Sequence, residues 1–170
     1  QQSALNSIKI LSRKFSQEST DAFVEVLQEL TDLLSENEKI KKEVLGGLVN
    51  CIGELVFDLK VLAIGILDTI LTSFVRLLTV QDDNRSTFNL LLAVASSLLK
   101  IIETVPLFLS PYLKQIIQQI SRIVPALKLL QDPKIGLTTA KISKIWSTMA
   151  QLVPLRVLLP TVSDVFNKIA

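Results

Sequence analysis

Apolar residues recur at i, i+3, i+4 and i+7 through most of this chain, and short polar breaks interrupt them. That period predicts amphipathic helices, with no long alternating run of the kind a strand needs. The breaks divide the chain into eight segments, at residues 3–15, 21–36, 38–58, about 63–79, 86–104, 111–123, 135–152 and 157–169. They fall into four antiparallel pairs, giving approximate units 1–37, 38–81, 82–130 and 131–170. Asp21 or Thr20 is placed to cap the second segment.

The second helices of the four units superimpose. Phe23, Val26, Leu27 and Leu30 match Leu67, Ile70, Leu71 and Phe74, then Leu113, Ile116, Ile117 and Ile120, then Val162, Val165, Phe166 and Ile169. Successive units are offset by 44, 46 and 49 residues, close to the ~40–47 of two-helix HEAT and armadillo repeats. A two-helix unit cannot bury its apolar stripe alone, so the units must stack around one continuous core. The expected fold is all-α: a HEAT-like α-solenoid, a right-handed superhelical rod at least ~60% helical whose second helices line the concave side.

Prolines mark the corners. Pro106 and Pro154 are expected just past the end of a first helix, because the residue before proline resists the α conformation. Pro111 and Pro160 are expected in the first turn of a second helix, where a missing N–H costs nothing. Leu107, Phe108 and Leu109 would pack under the corner between them.

Composition alters this picture in three places. A mean hydropathy of +0.46 raises the question of a membrane. The longest uncharged run, between Arg85 and Lys100, has only 14 residues, short of the ~18–20 a crossing helix needs, so no membrane span is expected. The hydrophobicity instead suggests a piece of a longer protein whose neighbouring segments cover apolar surface. The chain has no histidine and one cysteine, which removes His-based general-base catalysis, Cys/His zinc sites and an internal disulfide. Cys51 reads as a small buried hydrophobe. No Walker-type phosphate loop, dinucleotide fingerprint or nucleophile elbow occurs, so neither an enzyme nor a cofactor is expected. Gly46, Gly47 and Gly53 lie in a helical apolar pattern and are expected to admit close helix packing, and Glu54 and Asp58 to be solvated.

Charge is the third. Residues 1–85 carry 9 basic and 13 acidic side chains, residues 86–170 carry 9 and 3, so the halves differ by ten charges. Lys114, Arg122, Arg156 and Lys168 fall on the last two second helices and are the candidate contacts to RNA phosphates or an acidic partner. The same patch also reads as an ordinary solvated surface, since no aromatic residues are interleaved for base stacking.

The segments "KEVLGGLVNCIGELVFDLKVLAIGILDTIL", "LLKIIETVPLFLSPYLKQIIQQI" and "LVPLRVLLPTVSDVF" resemble the C-terminal third of a family of large HEAT-repeat proteins of the small-subunit processome. The family is called HEAT repeat-containing protein one in animals and U-three small nucleolar RNA-associated protein ten in fungi. The resemblance covers nearly the whole chain, and "ETVPLFLSPYL" and "PLRVLLP" are its most specific parts. It implies a non-catalytic nucleolar scaffold acting in pre-18S ribosomal RNA processing and ribosomal DNA transcription. Its partners would be processome subunits, with U-three small nucleolar RNA or ribosomal precursor RNA, and no membrane or small-molecule substrate. The alternative is a helical-repeat protein of the importin or adaptor type that binds cargo peptides through an acidic or Asn-rich groove.

Overall fold

The computed structural model describes residues 2–36, 40–79, 85–128 and 133–169. Of Arg85, Pro133, Lys134, Lys168 and Ile169 the backbone alone is described. Eight α-helices follow one another among these residues, and there is no strand: α1 (Gln2–Phe15), α2 (Thr20–Ser35), α3 (Lys42–Leu59), α4 (Leu67–Leu77), α5 (Arg85–Thr104), α6 (Leu113–Lys128), α7 (Pro133–Leu152) and α8 (Leu155–Ile169). The expected unit boundaries near 37, 81 and 130 lie outside the described residues.

The helices make two rows. The odd-numbered first helices pack side by side along most of their lengths, α1 on α3, α3 on α5 and α5 on α7, whereas the even-numbered second helices touch one another far less. In a curved two-layer stack the inner layer is the closer packed. This packing therefore does not favour the expected placement of the second helices on the concave side. At the centre of the closer row Gly53 sits against Ser97, and a Cβ built on it would come within 2.7 Å of the Ser97 Cβ. Only glycine lets α3 and α5 approach so closely.

The aligned stripe of the second helices is the other wall of the core. All eight of its residues in α4 and α6 are buried. At the two ends of the array the same register is less covered: Phe23, Val26 and Val162 are half-buried and Phe166 is 51% exposed. Units two and three are packed from both sides, so their stripes are fully enclosed. Ile169 lies outside the described side chains.

The corners depart from expectation in instructive ways. α5 ends at Thr104, Val105 and Pro106 follow, and Pro154 lies just beyond α7, as the prolines require. Pro111 sits in the turn two residues ahead of α6, while Pro160 lies inside α8, six residues in. Its ring removes the bond an N–H there would donate to Arg156, but both residues are exposed, so water can reach that carbonyl. Leu158 before it and Val165 after it are buried and hold the helix together. α6 likewise runs on through Pro125 to Lys128, its last turns held by buried Ile123 and Leu127. Of the three residues expected to pack under the α5–α6 corner, Leu109 is buried, whereas Leu107 and Phe108 are exposed. At α2 the cap position belongs to Ser19, with no side-chain bond, and Thr20 Oγ donates back to the Ser16 carbonyl at 2.9 Å. Between α3 and α4 a 3-10 turn, Lys60–Ile66, begins at Lys60 with φ 52°, a conformation that favours glycine.

Helix α5 is the central member of its row. Its stretch Ser86–Thr104, with Lys100 and Glu103 included, is long and apolar enough by composition to cross a bilayer. Here 67% of it is buried, with α3 on one side and α7 on the other, which marks it as a core helix.

Candidate partner-binding surface

Of the four cations singled out from sequence, the three with described side chains, Lys114, Arg122 and Arg156, do not form one patch. Lys114 on α6 bonds Asp164 on α8 at 2.6 Å, so it straps two second helices together. Arg122 lies eight residues further along α6, and Arg156 eight residues before Asp164 on α8; both are exposed. At 1.5 Å per residue each is about 12 Å from the Lys114–Asp164 level. Since second helices of stacked pairs run the same way, these displacements are in opposite directions and leave the two guanidinium groups roughly 24 Å apart along the axis. Lys168 continues α8, its side chain outside those described.

A denser polar arrangement crosses the first-helix row. Glu54 on α3 accepts from Arg13 on α1 at 3.0 Å and from Lys100 on α5 at 2.7 Å. Burial pushes its carboxyl up, but the hydrogen bonds and charges of Lys100 and Arg13 outweigh that and hold it below the usual carboxylate range. The Lys100 ammonium also lies over the Phe57 ring, 5.4 Å from its centroid. Asp58 accepts from the buried Ser12 hydroxyl at 2.6 Å. Glu54 and Asp58 are therefore connectors between first helices, which corrects their reading as solvated. The i, i+4 spacing that identified them shows which face they share; it could not show that the face meets α1 and α5.

Along the N-terminal half of the same row lies a cleft of about 460 Å³. Helix α3 forms its floor, with Gly46 and Gly47 and then Asn50 one turn on. Helix α1 supplies one bank through Gln2, Asn6 and Lys9, and α5 the other through Asn89 and Ala93. Lys42 and Glu43 close the end nearest the start of α3, where Lys42 donates to Thr87 at 3.1 Å and Glu43 accepts from Ser86. Asn50 Oδ1 accepts from Ser97 Oγ at 3.3 Å, so what this side chain offers the cleft is a donor. Cys51, beside the floor, is fully buried, and burial pushes its thiol up to about 11, so it is no nucleophile at neutral pH. Sequence reasoning missed the cleft because it read all three glycines as packing devices. Among the described residues no group of His, Cys, Asp and Glu is arranged to hold a metal.

No family model matches the chain. Curated relatives do. Over 97% of its length the chain is 32% identical to "HEAT repeat-containing protein 1" of Danio rerio, and over 99% it is 32% identical to the Homo sapiens protein of that name. A "HEAT repeat-containing protein 1 homolog" of Drosophila melanogaster is 27% identical over 99% of the chain. The chain spans 8% of the length of each of these relatives.

Proposed function

The chain belongs to the HEAT repeat-containing protein 1 family, and from that premise we propose that it is a non-catalytic scaffold segment of a nucleolar small-subunit processome protein. In this reading it acts in pre-18S ribosomal RNA processing, ribosome biogenesis and ribosomal DNA transcription by holding protein partners and RNA in place. The observation that carries the reading is the relationship over nearly the whole chain at 32% identity. The fold supports it. Two rows of stacked helices present an extended surface, the form that repeat proteins use for partners. Exposed Arg122 and Arg156 offer separate contacts to phosphate.

The test is to purify the full-length protein from cells and identify what accompanies it. Ribosomal precursor RNA and processome subunits should co-purify, and the protein should localise to the nucleolus. Recovery with transport receptors or their cargo, without precursor RNA, would replace this reading with the importin-type one.

A further inference from the structure

Two adjacent glycines in mid-helix need a reason, because glycine is a poor helix former that loses more chain entropy on folding than any other residue. Gly53 has one in the Ser97 contact. Gly46 and Gly47 do not: a Cβ on Gly46 would meet only the Ala93 Cβ at 3.8 Å, and one on Gly47 would meet the end of Leu5 at 3.4 Å and Gln2 at 3.8 Å, all ordinary contacts. Helix packing leaves both positions room for alanine. Their lack of side chains instead opens the floor of the cleft, where glycine allows another backbone to come close.

We propose that this cleft binds an extended, acidic segment of a partner polypeptide. From Lys42 to Asn50 the floor rises eight residues, about 12 Å, which accommodates roughly four residues of extended chain at 3.3 Å each. Peptide groups need both donors and acceptors; the carboxamide of Asn6 on the bank has both, and that of Asn50 on the floor adds its N–H donors. Two lysines, Lys9 and Lys42, line the cleft against one carboxylate, Glu43, which accepts from Ser86 at the closed end, and half-buried Lys9 on the acid-free α1 bank has no carboxylate partner among the described residues. A carboxylate on the bound segment would supply that partner. Among the described residues no aromatic side chain lines the cleft for base stacking, so a peptide fits it better than single-stranded RNA. The inference names a class of partner for the scaffold reading, yet stands separately from the nucleolar assignment, because purified components suffice to test it.

The test is fluorescence anisotropy of the protein with three labelled probes, an alternating Glu-Gly dodecapeptide, its Lys-Gly counterpart and oligouridylate, followed by amide NMR with the acidic probe. The acidic peptide should bind at least fivefold more tightly than the other two and shift the Gly46 and Gly47 amides. The double variant G46A/G47A should weaken binding at least fivefold while raising the melting temperature by roughly 2–6 °C, since alanine favours the helix. K9Q should weaken binding about threefold or more, and R122Q/R156Q should leave it unchanged. Undiminished binding by G46A/G47A, a fall in its melting temperature, or preference for oligouridylate would each overturn the proposal.

Discussion

The two rows of helices solve the same burial problem differently. Second helices use a wide apolar stripe, and long polar side chains also link each to the end of its neighbour. Arg76 of α4 donates to the Ser35 carbonyl at the end of α2 at 3.3 Å, and Gln119 of α6 to the Leu78 carbonyl beyond α4 at 2.5 Å. Each serves as a C-terminal cap for the helix of the preceding unit. First helices come together directly, through Gly53 against Ser97 and the Arg13–Glu54–Lys100 bridge. The closely packed first-helix row is the spine, and the second row, less closely packed on itself, is expected to open more readily.

The comparison is broken most severely by emptying the spine. Ile52→Ala, at a fully buried position of α3, should cost about 2–5 kcal/mol in denaturant unfolding. Val26→Ala, half-buried on α2, should cost about 1 kcal/mol or less. Next comes Gly53→Ala, whose new methyl group must push α3 from α5; a loss of about 1–3 kcal/mol is expected, opposite in sign to alanine at Gly46 and Gly47.

Glu54→Gln should cost about 1–2 kcal/mol, because it leaves two cations with a weaker acceptor on a partly buried surface. The Glu54 carboxyl is held low in the folded chain, so its contribution is complete above the ordinary carboxylate pKa and fades as pH falls through the lower folded value. Unfolding midpoints measured from pH 7 down to pH 3 should thus converge for wild type and variant at the acid end. Smallest is Lys114→Gln. The ion pair with Asp164 is about half exposed on both sides, and its loss should cost no more than about 1 kcal/mol, less in high salt.

The second-row stripe was legible in the sequence because a periodic apolar face is a local property of each helix. Leu113, Ile116, Ile117 and Ile120 are all fully buried. Pro106 and Pro154 were legible for the same reason, since a corner is set by the residues in it. Pro160 misled because a proline's penalty of about 3 kcal/mol is offset when buried neighbours such as Leu158 and Val165 anchor the turns around it. The polar surface was least legible. A tally of charge by half-chain separates 1–85 from 86–170, but it hides a second separation inside the first unit: α1 carries Lys9, Arg13 and Lys14 with no acid, and α2 carries Asp21, Glu25, Glu29 and Asp32 with no base. Which face of α3 meets α1 and α5 depends on contacts more than 40 residues apart in sequence, such as Ser12 with Asp58.

Native-state hydrogen exchange tests the spine most directly, since local opening free energy follows packing density. The slowest amides should lie in α3 and α5, with α4 and α6 exchanging measurably faster despite their buried stripes. Equal protection of the two rows, or slowest exchange in the second, would contradict the account.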